Sequence, residues 1–104
     1  SRGDMLKQVQ KMQEDMANLQ ADLDEREFTA TSGGGMISVT VNGKHEITEL
    51  KINPDAIDPE EPEMLEDLIT VAVNEAISNA TKTSEEEMGA ITGGLNIPGM
   101  PGMF

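Results

Sequence analysis

Residues 32–54, SGGGMISVTVNGKHEITELKINP, restrict the fold more than any other stretch of the chain. Gly33, Gly34 and Gly35 mark a turn. After them Ile37, Val39 and Val41 alternate with Met36, Ser38 and Thr40, the period of two expected of a strand with one buried face. Asn42-Gly43 suits a two-residue type I′ turn, in which both central residues take positive φ. Residues 44–53 then return as a second strand. In that register Val41 lies opposite Lys44, and Val39, Val41, Leu50 and Ile52 share a face. Ile47 points the other way unless a bulge near Thr48 re-aims it.

Residues 4–25 read as a helix about 33 Å long at ~1.5 Å per residue. Met5, Val9, Met12, Met16, Leu19 and Leu23 recur at alternating spacings of four and three, a narrow seam suited to one partner helix, within the chain or in a second copy. Residues 26–31 alternate Phe28 and Ala30 with polar neighbours and form a short strand. Three strands make a meander too small to stand alone, so a helix must cross one face and another sheet is expected along its edge. Residues 53–63 are an acidic, proline-rich connector. Asp58 offers an N-cap with Pro59 at the first helical position, and Pro62 offers a second start.

The strongest helix signal spans residues 64–80. Leu65, Leu68, Ile69, Ala72, Val73, Ala76, Ile77 and Ala80 form a wide apolar stripe, expected to be the main layer over the sheet. Ser84-Glu85-Glu86-Glu87 reads as a capping box opening a short last helix through about Ile91, ended by Gly93-Gly94. The expected fold is therefore α+β: a three-stranded antiparallel meander with a long N-terminal helix and two C-terminal helices, α-β-β-β-α-α. Residues 1–92 form the single domain. Residues 93–104 form a flexible Gly/Pro-rich tail whose apolar side chains suit docking.

Only 37% of the residues are hydrophobic, and Phe28 and Phe104 are the only aromatics. Such a light, aliphatic core favours completion by a second subunit, with eight methionines as adaptable fillers. The absence of cysteine removes disulfides and thiolate chemistry and fits a reducing cytoplasm. No apolar run approaches the ~20 residues of a membrane span, and no signal-peptide pattern opens the chain. Because the chain opens on Ser1-Arg2-Gly3 rather than Met, its start is expected to be trimmed or replaced.

No catalytic or metal constellation emerges, and no cofactor is implied. His45 is the sole histidine and reads as a solvent-facing strand residue. The glycine run lacks the Gly-Lys-Ser/Thr ending of a phosphate loop. Asp55, Asp58, Glu60, Glu61 and Glu63 lack the spacing of a calcium loop and suit a helix start. Glu66 and Asp67 are adjacent in sequence and diverge on a helix. An enzyme is not expected.

The net charge of −13 repels bulk polyanions, and the chain has no aromatic platform on which single-stranded bases can stack. Its charge is segregated, however. Residues 1–13 carry Arg2, Lys7 and Lys11 against Asp4 alone, a local balance of +2, whereas Lys82 is the only base between residues 54 and 88. One reading is a basic end that meets duplex DNA. The alternative is an acidic dimeric adaptor whose partner is a protein, bound through the methionine seam, the acidic face of residues 60–67 or the apolar tail.

Four segments in succession carry a resemblance: MLKQVQKMQEDM at residues 5–16, SGGGMISVTVNGKHEI at 32–47, KINPDAIDPEEPEMLEDLITVAVNEA at 51–76 and EEEMGAITGGLNIPGM at 85–100. Together they resemble the YbaB/EbfC family of small bacterial nucleoid-associated proteins over nearly the whole chain. The resemblance implies a tweezer-shaped homodimer in the cytoplasm. It implies binding to duplex DNA with little sequence specificity, altered DNA conformation, and effects on nucleoid organisation and gene expression. It assigns DNA contacts to helical prongs, here the N-terminal helix with Lys7 and Lys11 and the region after Lys82.

Overall fold

The computed structural model describes residues 1–93; the expected tail from residue 94 onward lies outside the described residues. Helix α1 (Arg2–Glu25) leads into strands β1 (Glu27–Ser32), β2 (Ile37–Asn42) and β3 (Ile47–Ile52). A single 3-10 turn (Pro54–Ala56) and helix α2 (Pro62–Thr92) follow. The strands form one antiparallel sheet in the order β1-β2-β3, so the α+β meander is as expected.

The core lies where α2 crosses the sheet. Ile37, Val39 and Val41 on β2 and Ala72, Ala76 and Ala80 on α2 are buried together with Ala30 on β1. Three alanines at successive i, i+4 positions present a flat ridge, which lets the helix backbone approach the strands closely. Leu65, Leu68, Ile69, Val73 and Ile77 flank that ridge half-buried, so the predicted stripe is the packing face. The opposite face of the sheet is polar; there Thr29 and Thr40 hydrogen-bond side chain to side chain at 2.8 Å.

The central hairpin corrects the predicted turn. Asn42 N–H donates to Glu46 C=O at 3.0 Å and His45 N–H donates to Asn42 C=O at 3.0 Å. This encloses a three-residue loop, Gly43–His45, whose left-handed position is His45 (φ 63°) rather than Gly43. The Asn42 side-chain oxygen reinforces the loop by accepting the amides of Lys44 (2.9 Å) and Glu46 (3.1 Å). His45 therefore sits in the turn rather than on a strand, with Nε2 3.4 Å from Thr81 Oγ1 on α2. The register slips between Thr40 and Val41, where Thr48 is the extra residue. That bulge turns Ile47 to face Val41, so Ile47, Leu50 and Ile52 all point to the helix side.

Two C-terminal helices were expected; the structure has one, continuous over 31 residues. The predicted second start fails because its box is never closed. Glu87, which would reach back to the Ser84 amide, is drawn to Arg26 instead. At the front of α2, Pro62 is the start and Asp58 is not the cap. The Asp58 side chain and carbonyl accept the amides of Glu60 and Glu61, both at 3.0 Å, and close a turn ahead of the helix.

Helix α1 begins at Ser1, whose hydroxyl accepts the Asp4 amide at 3.3 Å. It touches the sheet at its C-terminal end, packs on α2 beside that end, and projects with residues 1–11 exposed. The radius of gyration of 19.4 Å, against about 13 Å for a compact chain of this length, reflects that projection.

The docking of α1 on the hairpin depends on Gly43. A Cβ there would meet the Leu23 carbonyl oxygen at 2.0 Å, backbone against backbone. Gly43→Ala is therefore expected to destabilise the fold by more than about 2 kcal/mol, because neither element can give way. Gly34→Ala, which faces open space at φ 67°, should cost only about 1–2 kcal/mol of left-handed strain. Urea unfolding of the two variants measures the contrast, and equal costs would contradict the close approach.

Candidate nucleic-acid interface

The predicted cationic residues fall in two separate places. Arg2, Lys7 and Lys11 lie on the first three turns of α1, where every residue from 1 to 11 is exposed. Lys82 lies exposed on α2, next to the Thr81–His45 contact at the end of the sheet. About 28 Å of helix, at ~1.5 Å per residue, separates Lys7 from Arg26, and Lys82 belongs to the sheet side of that junction. The fold does not bring Lys82 to the other three.

Within the α1 group the faces also differ. Lys7 and Lys11 are one turn apart and share a side, whereas Arg2 lies about 140° around the axis from Lys7 at ~100° per residue. Lys11 pairs with Asp15 at 3.1 Å, an exposed i, i+4 bridge that a phosphate can replace at little cost. No ion pair engages Arg2 or Lys7 among the described residues.

The seam of α1 is graded along its length. Leu23 is fully buried, Leu19, Met16 and Met12 are half-buried, and Val9 and Met5 are 39% and 68% exposed. The buried end packs within the chain, as contacts between α1 and α2 require.

Arg26 is the residue whose role sequence reasoning missed. It holds Glu87 with a two-pronged contact, Nη1 to Oε2 at 2.5 Å and Nη2 to Oε1 at 3.1 Å, and also pairs with Asp22. Its backbone N–H bonds the carbonyls of Asp22 and Leu23, both at 3.1 Å, and ends the helix. The hydrogen bonds it donates to Glu87 and then to Asp22 raise its already high pKa further. In return the Arg26 hydrogen bonds hold the Glu87 carboxyl below the usual carboxylate range, outweighing desolvation. The only signal in the sequence was Asp22 four residues before Arg26; Glu87 is 61 residues away.

A second feature absent from sequence reasoning is apolar exposure beside the sheet. Helix α2 lies over β1 and β2 and leaves β3 uncovered, so the inward-pointing Ile47 and Leu50 remain 52% and 45% exposed. Ile57, Met64 and Val71 are exposed as well. Among the described residues no cluster of three or more His, Cys, Asp or Glu is placed to hold a metal ion, and no helix is long and apolar enough to cross a membrane.

The arrangement is that of an α+β chain with a projecting, cation-tipped helical arm. Similar chains share its sequence: nucleoid-associated proteins of Alkaliphilus metalliredigens (54% identical) and Clostridium acetobutylicum (52% identical), each aligned over 92% of this chain and 84% and 86% of the relative. A nucleoid-associated protein of Pelotomaculum thermopropionicum is 51% identical over 92% of this chain and 91% of its own. The crystal structure of an uncharacterized protein from Helicobacter pylori has the same fold, with a TM-score of 0.72 at 21% identity over 88% of this chain and 96% of that one. Residues 1–95 match the YbaB/EbfC DNA-binding family, and the chain belongs to it.

Because the folded Glu87 is the more acidic form, its pair with Arg26 stabilises the fold above the ordinary glutamate pKa of about 4.3. That contribution fades as pH falls through the lower folded value. Arg26→Met is expected to lower Tm at pH 7 and to flatten the fall of Tm between about pH 5 and 3. Thermal melts across that range test it; a variant as acid-sensitive as the parent would show that the pair carries no such stability.

Proposed function

We propose that the protein acts as a homodimer on the bacterial nucleoid, with the free ends of its α1 arms seated on the phosphates of duplex DNA. The observation that carries this reading is the exposed basic end of α1, which projects from an acidic body. Residues 1–13 hold a balance of +2, which leaves −15 on the rest of the chain. Screening makes that separation matter. At physiological salt the Debye length is about 8 Å, and Lys7 stands about 28 Å of helix from the Arg26 junction. The acids of the body are therefore largely screened at the arm's end.

The side chains available there are flexible cations on a helix surface, with no aromatic group and no fork aimed at a base edge. They suit phosphate contact, which positions a protein without reading sequence. Two arms held at a fixed separation can bridge neighbouring duplex segments and change their path. Lys82, remote from the arm's end and four residues before Glu86, contributes little to the contact in this reading.

The second copy is called for by β3. Its inward row, Ile47 and Leu50, is left bare by α2, and an edge strand with exposed apolar side chains is a surface that folded chains ordinarily cover. Leu50→Lys is expected to shift the protein from dimer to monomer in light scattering while leaving its circular dichroism unchanged. A dimer that persists would place the interface elsewhere.

With Arg2, Lys7 and Lys11 from two subunits, at most six phosphates are neutralised. The slope of log K against log salt is then about −5, and affinity falls roughly a thousandfold between 50 and 200 mM salt. The double variant Lys7→Glu, Lys11→Glu should reduce the slope to about −2 or abolish binding. A gel-shift titration at several salt concentrations measures both. Absence of binding at low salt, or a double variant that binds as the parent does, would overturn the arm as the contact and favour a protein partner.

A further inference from the structure

We propose that the outer edge of β1, with the flank of α2 that stands beside it, takes up an extended segment of a partner protein as a fourth strand. The segment is apolar at alternate positions and carries lysine or arginine but no acid.

Strand β1 is a bare edge. It pairs with β2 alone, and its six residues from Glu27 to Ser32 run opposite Asn42 to Ile37 without a shift. Every second residue of such a strand turns its N–H and C=O away from the neighbour it pairs with. Among the described residues no backbone hydrogen bond outside the β1–β2 ladder engages those groups. Sheet edges are ordinarily guarded by lysine, proline or a bulge. The stretch EFTATS has none of these: the register shift of the sheet lies between β2 and β3, and the only charge on β1 is Glu27, its first residue.

The helix side of this edge is apolar. The Leu68 carbonyl accepts the Ser32 hydroxyl at 2.6 Å, and the Leu68 side chain lies 3.1 Å from where a Cβ on Gly33 would stand. Those contacts fix which side of α2 overlooks β1. At ~100° per residue, Met64 and Val71 lie about 40° and 60° further round from Leu68 and, seven residues apart, nearly in line. Each is 55% exposed. Ile77 lies half a turn from Leu68, so Met64 and Val71 face away from the bare row of β3. A strand added about 4.8 Å outside β1 sets its alternate side chains beside Leu68, Met64 and Val71.

The edge dictates an extended occupant, because only another extended backbone satisfies a row of outward amides and carbonyls. Charge selects among extended chains. Glu27 follows Asp24 and Glu25 at one end of the edge. Asp67 lies one turn before Val71, and Glu75 one turn after it. None of these acids forms an ion pair among the described residues. A basic segment is attracted there and a polyanion repelled, while a second copy of this edge would set the same carboxylates against one another. The surface shares no residue with the cations of the α1 arm or with Ile47 and Leu50, so binding there is independent of DNA and of the dimer contact at β3.

A displayed library of random peptides of about twelve residues, twice the length of β1, selected on the full-length protein tests the proposal. The selected peptides are expected to share apolar residues at alternate positions, with lysine or arginine among the rest. One such peptide, made synthetically, should slow exchange of alternate amides in Glu27–Ser32 by about tenfold and shift the amide resonances of Met64 and Val71. Val71→Lys should weaken that peptide about tenfold and leave the mass in light scattering and the gel shift with DNA as in the parent. Selected peptides with no common pattern, or with apolar residues at the helical spacing of three and four, overturn the proposal. Amide changes at Leu50 in place of β1, or a Val71→Lys variant that binds the peptide as the parent does, also overturn it. So does protection of the β1 amides that rises with protein concentration in the absence of peptide, because a second copy would then hold the edge.

Discussion

Every larger feature of this protein follows from how the alanine ridge of α2 lies on β2. Ala72, Ala76 and Ala80 carry so little side chain that the helix settles close to Ile37, Val39 and Val41. A helix is about 10 Å across, roughly the width of two strands spaced near 4.8 Å. One helix therefore covers β1 and β2 and leaves β3 open. The sheet is also short: six residues per strand span about 20 Å, while the 31 residues of α2 span about 46 Å. The helix must overshoot the sheet, and its overhang is the surface on which α1 packs.

The same mismatch repeats one level out. Helix α1 is clamped at its C-terminal end by two contacts, the Leu23 backbone on Gly43 and the Arg26 guanidinium on Glu87. Beyond them it runs past the end of α2 and carries its basic first turns away from the acidic body. Distance, more than the number of positive charges, makes an acidic member of a DNA-binding family physically reasonable. At a Debye length of about 8 Å, most of the −15 carried elsewhere has little reach along the arm. The same overhang leaves Met5, Leu6 and Val9 exposed beside those cations.

Much of this was legible in the chain because it is local. The alternation of β2 and the eight-residue stripe of α2 read correctly, since periodicity reports which side is buried without reference to the partner. The bulge near Thr48 was legible as a condition on Ile47. The hairpin loop was not: Asn42-Gly43 has the residues of a type I′ turn, but Gly43 is used for its missing side chain against Leu23, and the positive φ falls on His45. Likewise Ser84–Glu87 has the letters of a capping box, but a long-range ion pair with Arg26 claims the glutamate. Grouping Arg2, Lys7, Lys11 and Lys82 by charge joined residues that the fold keeps apart.

Sequence alone determined the element types, the buried faces and the uneven charge, because each is set by neighbours within one or two turns. Tertiary structure alone decided which strand stays bare, where α1 is clamped and how far its cations stand from the acids. Those depend on relative lengths and on close approaches between residues far apart in the chain, such as Gly43 with Leu23 and Arg26 with Glu87, which no local pattern encodes.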